Sequence, residues 1–282
     1  MNYRHAFHAG NFADVVKHTI LSRILAYLMR KDAAFRVIDT HAGVGLYDLN
    51  ASEAERTGEW QDGIGRVMAA ELAAPIADLL APYLDAVRAQ NRDGRLRFYP
   101  GSPFITRHMM RAQDRLMALE LHPSDAGALR RNFAGDFQTR LTTLDGWAAL
   151  GTHLPPKEKR GLVLVDPPFE EKGEFNRMVQ SLEKAIKRWP GGTYAYWYPI
   201  KEPGEVETYV KALKKTGIPK ILRLELNIRA PSSPPRLHGT GMVVVNPPFV
   251  LEEEMRTVLP ILADLLSDEG RGQWRIDWVA GE

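Results

Sequence analysis

The sequence predicts an α/β fold of the Rossmann-like kind, a mostly parallel seven-stranded sheet with a small helical subdomain inserted into it. Three observations predict it. Short apolar runs rich in β-branched residues recur at residues 35–40, 115–121, 139–144, 161–165, 193–198, 220–228 and 241–246. Helical patterns at 105–113, 124–132, 174–189 and 205–216 separate most of them, and strand alternating with helix implies βαβ units and a parallel sheet. The last two runs are joined by the Pro/Ser/Gly-rich residues 230–240 with no helix, so they pair antiparallel.

The chain opens on Tyr3, Arg4, His5, Phe7 and His8, aromatic and cationic groups suited to base stacking and phosphate contact. Asn11 then caps an amphipathic helix with Asp14 in its first turn and Val15, Val16, Ile20, Leu21, Ile24, Leu25 and Leu28 turned inward. Clustered histidines invite a metal, but there is no His-Glu-x-x-His spacing and no companion acidic cluster. No metal is expected.

The first sheet strand ends in Asp39-Thr40-His41-Ala42-Gly43-Val44-Gly45, where two glycines let the backbone approach a ligand closely. A dinucleotide fingerprint requires a further glycine three residues on, and Asp48 stands there. Residues 46–98 then interrupt the sheet: Ile64, Val67, Met68, Leu72, Ile76, Leu79, Leu80, Leu84 and Val87 keep helical spacing, with Pro75 and Pro82 as breakers. The chain is thereby divided into a Rossmann-like domain, 1–45 and 99–282, and an inserted helical subdomain, 46–98. Where the sheet resumes, Ser102 is placed to cap a helix starting near Phe104. Glu120 ends the second sheet strand, the station of a ribose-binding acid. Asp145 and Gly146 follow the third, at the place of a cofactor's adenine contact, although the pair by itself also reads as a plain turn.

The buried run 161–165 closes on Asp166-Pro167-Pro168-Phe169. An exocyclic amine on a nucleobase is a poor nucleophile until its lone pair is localised. Asp166 accepts one amine hydrogen and the Pro167 carbonyl the other, the prolines fix both acceptors, and Phe169 stacks on a base that has left its helix. The bland alternative is a strand-terminating turn. Asn246-Pro247-Pro248-Phe249 repeats the pattern after the last run, and strand order decides between the two. Six parallel strands followed by one antiparallel hairpin strand resemble the sheet of the class I S-adenosylmethionine-dependent methyltransferases. In that order Asn246 lies at the far edge from the cofactor, and Asp166 is the catalytic turn.

Tyr3-Arg-His-Ala-Phe-His-Ala-Gly-Asn11, Asp39-Thr-His-Ala-Gly43, Glu55-Arg-Thr-Gly-Glu59, Tyr99-Pro-Gly-Ser-Pro103, Glu120-Leu-His-Pro-Ser-Asp125 and the Asp166 turn together are similar to the RlmJ family of bacterial 23S ribosomal RNA adenine-N6 methyltransferases. The resemblance covers essentially the whole chain. It implies Asp166 as catalytic acid, with Pro167 and Phe169 beside it, and His18, His41, Ser102, Glu120, Asp145 and Gly146 as cofactor contacts along with Gly43 and Gly45. It also implies Lys17 at the cofactor's methionine carboxylate and Tyr3 near the target adenosine. The family commonly has Tyr where this chain has Phe169. An adenine-N6 methyltransferase acting on DNA is the alternative, since it shares every active-site residue.

Composition agrees with this reading. There is no cysteine, which excludes thiolate zinc sites, disulfides and a cysteine-nucleophile route to pyrimidine carbon-5 methylation. A net charge of +2 leaves RNA contact to local basic clusters, with Arg229 and Arg236 in the loop after the sixth strand the most suggestive. No stretch is long enough to cross a bilayer and no signal-peptide pattern opens the chain. A cytoplasmic, monomeric, RNA-binding enzyme without metal or membrane partner is expected.

Overall fold

Asn11 does cap the first helix. In the computed structural model, which describes residues 5–281, its side-chain oxygen accepts from the Ala13 and Asp14 amides at 3.0 Å each, and α1 (Phe12–Met29) follows. The helix is less amphipathic than its spacing suggests: Asp14, Lys17, His18, Thr19, Ser22 and Arg23 are buried along with the aliphatic face. The sheet lies on one side of it and the insertion on the other, so its polar residues are shielded from water; Asp14, Lys17 and Arg23 are paired, while Thr19 Oγ1 and His18 Nε2 have no partner among the described residues.

After β1 (Arg36–Asp39), the insertion leaves through β2 (Leu46–Asp48) and returns through β3 (Phe98–Pro100), which pair antiparallel. Between them lie α2 (Ser52–Thr57), a π-helical stretch at Gln61–Gly65, α3 (Arg66–Ala69) and α4 (Ala74–Gln90). Of the two prolines expected to break helices, Pro75 sits in the first turn of α4, where an amide has no helical partner, and Pro82 lies inside α4 without ending it. Buried Leu80, Tyr83, Leu84 and Val87 on both sides of Pro82 hold the helix against the core despite the missing amide. Ile64, Val67 and these residues belong to the same apolar cluster as α1 and one face of the sheet.

The chain continues through α5 (Ser102–Met109), β4 (Arg115–Leu119), α6 (Pro123–Asn132), β5 (Thr139–Thr142), α7 (Gly146–Thr152), β6 (Gly161–Val165), α8 (Glu174–Arg188), β7 (Thr193–Ile200), α9 (Pro203–Lys215), β8 (Ile221–Asn227), β9 (Gly239–Val245), α10 (Leu251–Leu266) and β10 (Gln273–Ala280). The main sheet has the order β10-β8-β9-β7-β6-β1-β4-β5. Pairs from β5 through β7 are parallel, and β9 is antiparallel to both β7 and β8. Thus all seven expected strands share one sheet, six in one direction and β9 opposed. An eighth, β10, pairs antiparallel with β8 at the edge. Its residues Trp274, Arg275, Asp277 and Trp278 lack the apolar run that marks the others, and Asp277 serves instead to pair the buried Arg223 at 2.7 and 2.8 Å. Helices α1, α4, α5 and α10 share one apolar cluster, and α7, α8 and α9 contribute to the second.

The direction of β9 settles the two proline turns. Val245 stands beside Tyr194 near the start of β7, at the opposite edge from the end of β6. There the Asn246 amide donates to the Pro190 and Gly192 carbonyls, both at 2.8 Å, which ties two connections together.

Candidate active site

A cleft of about 640 Å³ opens along the carboxyl ends of β1, β4 and β6 and the first turns of α1, where open α/β sheets hold ligands. Its floor depends on glycine. Gly43 has φ +60°, and a Cβ there would lie 2.3 Å from the Tyr47 hydroxyl; a Cβ on Gly146 would lie 2.2 Å from the Thr40 carbonyl oxygen. Gly146 therefore lets the start of α7 abut the loop after β1. Gly45, at φ +82°, packs near Phe104 and Leu129, and its carbonyl accepts from the Gly101 amide at 2.8 Å. It shapes the loop without lining the cleft.

Glu120 bridges two loops, its carboxylate accepting from the Gly43 amide at 2.9 Å and the His122 amide at 2.7 Å, and burial raises its pKa. Asp145 caps α7 by accepting from the Trp147 amide at 3.0 Å, and its other oxygen accepts from Arg177 at 3.1 Å. The Arg177 guanidinium lies 5.0 Å from the centre of the Trp147 ring. Ser102 is not the cap foreseen for α5. The helix already begins at Ser102, with Gly101 at the cap position, and the Ser102 hydroxyl donates to Asp39 at 2.6 Å because a fully buried carboxyl is the stronger acceptor. Burial pushes the Asp39 carboxyl up to about 7.

Two of the histidines that line the cleft, His18 and His41, are neutral and present opposite hydrogen-bonding characters. Burial lowers the pKa of His18 to about 3 and that of His41 to about 4. His18 Nδ1 lies 2.6 Å from the Tyr99 hydroxyl, which is 2.9 Å from the Tyr83 hydroxyl. If Tyr83 donates to Tyr99 and Tyr99 to Nδ1, every proton has an acceptor; the reverse order leaves the fully buried Tyr83 proton without one. His18 is accordingly protonated at Nε2, a buried donor with no protein partner among the described residues. Thr40 Oγ1 donates to the Leu164 carbonyl at 2.9 Å, so the 2.8 Å contact with His41 Nδ1 has His41 as donor and leaves its Nε2 an acceptor. An orphaned donor and a free acceptor in the lining of one cleft suit a zwitterion, such as the amino-acid end of S-adenosylmethionine.

Asp166 closes β6 with one oxygen already engaged. Lys17 Nζ donates to Asp166 Oδ2 at 2.5 Å and contacts Asp14 Oδ1 at 2.8 Å. Burial opposes charge at Lys17, but the two carboxylates outweigh it and raise its pKa. Burial likewise works against Asp14, yet His5 at 2.9 Å and Lys17 hold its carboxyl well below the usual range. Lys17, expected at a cofactor carboxylate, is thus placed between Asp14 and Asp166. Pro167 and Pro168 line the same cleft. Phe169, at φ +53°, puts its ring in an adjoining cleft, edge-on to Phe175 and Trp197 at 5.0 and 5.9 Å. Tyr3 lies outside the described residues. Among them, no group of His, Asp and Glu side chains is arranged to hold a metal, and no helix is long and apolar enough to cross a membrane.

A family model described as ribosomal RNA large subunit methyltransferase D, RlmJ, matches residues 32–280. The chain belongs to the RlmJ family. Within this family, curated relatives named ribosomal RNA large subunit methyltransferase J, from Haemophilus influenzae and Escherichia coli K12, are each 42% identical over the full length of both chains. A crystal structure of protein LPL1258 from Legionella pneumophila is similar, with a TM-score of 0.87 and 32% identity, covering 96% of this chain and 98% of that one. As an RlmJ-family protein the chain is a class I methyltransferase that uses S-adenosylmethionine. Several residues of the site went unread in the sequence. Asp14, Trp147 and Arg177 carry ordinary helix-face signals, and Tyr83 and Tyr99 look like core. Glu59, in the Glu55–Glu59 segment that carried part of the family resemblance, accepts from His8 Nδ1 at 2.9 Å and from the Asn11 side-chain amide at 3.0 Å, while the Thr57 hydroxyl donates to the Phe7 carbonyl at 2.5 Å. That motif fastens the amino-terminal segment to the insertion.

Proposed function

We propose that this enzyme methylates the N6 amine of a specific adenosine in 23S ribosomal RNA, in the cytoplasm. The observation that carries the amine reading is Asp166 at the end of β6, with Oδ2 held by Lys17 and Oδ1 left for a ligand. The ribosomal RNA substrate is supported by the names of the full-length relatives.

When bound, S-adenosylmethionine supplies an electrophilic methyl carbon on its sulfonium. His18 Nε2–H and His41 Nε2 would hold the amino-acid end, with Ser102 in the same lining; Glu120 would accept from the ribose hydroxyls, and Asp145 and Gly146 would meet the adenine. Gly43 supplies the close backbone approach, and Gly45 the loop shape behind it. At the acceptor, Asp166 Oδ1 takes one amine hydrogen and the Pro167 carbonyl the other, which turns the nitrogen lone pair toward the incoming carbon. Once methylated, the nitrogen would have a proton to lose, and Asp166 Oδ1 is placed to take it. Lys17 is a positioning residue: its ammonium donates to Asp166 Oδ2 and fixes that carboxylate in rotation. Tyr3, outside the described residues, is the contact proposed for the target adenosine.

The test is methyl transfer from labelled S-adenosylmethionine to unmodified, protein-free 23S ribosomal RNA, with duplex DNA and Asp166→Ala in parallel, read by nucleoside mass spectrometry. N6-methyladenosine in RNA alone, absent with the variant, is the expected result. Label in DNA alone moves the substrate class, and label at another atom of the RNA overturns the amine mechanism.

A further inference from the structure

A second cleft, of about 570 Å³, lies between the amino-terminal ends of α8 and α9, on the other side of the Asp166–Phe169 turn. Glu171 and Glu174 line both clefts, so the two adjoin at these residues. Nothing in the mechanism above uses it. We propose that this cleft receives the nucleobase adjacent to the target adenosine in the RNA strand, a base that presents ring N–H or amino donors to Glu174. The inference rests on the proposed RNA substrate.

Two features of the lining point to a base. The first is aromatic: Phe169, Phe175 and Tyr209 contribute rings, and stacking on such rings is how proteins hold unpaired bases. Phe169 keeps its ring there at a left-handed φ of +53°, a conformation few non-glycine residues adopt. The second is a lone acceptor. Glu174 is only 6% exposed, yet its Oε2 has no hydrogen-bond partner, and its Oε1 reaches no closer than 3.6 Å to Arg177. A buried carboxylate oxygen without a partner is unfavourable until a donor meets it. The Watson–Crick edge of guanine, or the amino group of adenine or cytosine, supplies such a donor.

Charge sets which part of the nucleotide enters. Glu171, Glu202 and Glu205 also line the cleft, and their carboxylates repel a phosphate from its interior. Exposed Lys172 and Lys201 stand in the same lining and offer the sugar–phosphate backbone a path along the rim. With the target amine at Asp166 and the backbone at these lysines, the neighbouring base is the group that reaches Glu174.

The test is steady-state kinetics on a synthetic RNA fragment that the wild-type enzyme methylates, and on copies made abasic at the nucleotide 5′ or 3′ of the target. One abasic copy is expected to raise KM about tenfold or more with kcat within about twofold. Glu174→Gln and Phe175→Ala should raise KM on the intact fragment by a similar factor and be insensitive to the same abasic change, while binding S-adenosylmethionine as the wild type does. Unchanged KM on both abasic copies overturns the proposal while leaving RNA methylation intact, and so do variant and abasic effects that multiply. Failure of the wild type to methylate any RNA removes the substrate reading itself, and this proposal with it.

Discussion

Asp166 and Lys17 form a buried charge pair whose members have separable roles. Asp166→Asn keeps the shape but not the proton acceptor, so transfer should fall by at least about 10³-fold while the dissociation constant of S-adenosylmethionine changes little. Near-normal turnover rules out Asp166 as the acceptor. Lys17→Met leaves Asp14 and Asp166 without their shared cation. A loss of roughly 10²-fold in kcat is expected, with cofactor affinity within a few fold; a loss in cofactor affinity alone returns Lys17 to the methionine carboxylate. Asp39 gives the site a pH signature. Its carboxyl is lifted by burial from 3.8 to about 7, so the folded protein holds that proton more tightly than the unfolded chain. Its contribution to stability is therefore complete below about pH 4 and is lost as pH rises through 7. Asp39→Asn cannot ionise, and from pH 5 to pH 8 it should gain about 2–3 kcal/mol on the wild type in denaturant unfolding. A difference independent of pH excludes an elevated Asp39.

Elements decide what identical motifs mean. The two proline turns share three of four residues, and each follows a run of buried strand residues. The missing helix between residues 230 and 240 was enough to read β9 as reversed, and with it the separation of Asn246 from the site. Replacing Asn246 by Asp removes both donors to the Pro190 and Gly192 carbonyls and sets a charge beside them. A destabilisation of about 2–4 kcal/mol is expected with kcat unchanged; a fall in kcat for the folded variant places the turn in the chemistry. The relay from α4 through β3 to α1 acts on the cofactor side. Tyr99→Phe leaves His18 Nδ1 without its donor, so the imidazole loses its fixed tautomer. Nitrogen-15 NMR of the wild type should show protonation at Nε2, the variant a mixture, and cofactor binding should weaken about tenfold, roughly 1.4 kcal/mol. A wild-type signal for Nδ1–H overturns the relay's direction. None of this was legible in the sequence, because a tyrosine that fills a core and one that orients a histidine are spelled the same way.

For the whole molecule, the insertion, α1 and the amino-terminal segment act as one clamp on the cleft. Glu59 and Thr57 hold residues 7, 8 and 11, and His5 reaches back to Asp14 beside Lys17. On the far side, Arg23 of α1 donates twice to Glu254 of α10, at 2.8 and 2.9 Å, joining the first and last helices. Such long-range closures leave no periodic trace in a sequence, which is why residues 46–98 read as a separate helical unit while their apolar side chains complete the main core. The overall charge of +2 limits how strongly RNA is held by electrostatics alone. The logarithm of RNA affinity should fall against the logarithm of salt with a slope of roughly −3 or shallower, as for about four phosphate contacts on single-stranded RNA. A much steeper slope requires a basic surface elsewhere on the molecule.

By itself the sequence determined the sheet and its direction, the cap of the first helix, the strand-end stations of Gly43, Glu120, Asp145 and Asp166, and the family to which they point. These are local properties: period, turn chemistry and the length of a connection act within a few residues of one another. Tertiary structure alone decided the eighth strand, the passage of α4 through Pro82, the partner of Ser102, the tautomers of His18 and His41, and the ion pair between Lys17 and Asp166. Each depends on burial, which removes water as a hydrogen-bonding partner and makes the nearest buried donor or acceptor, 149 residues away in the case of Lys17 and Asp166, the one that matters.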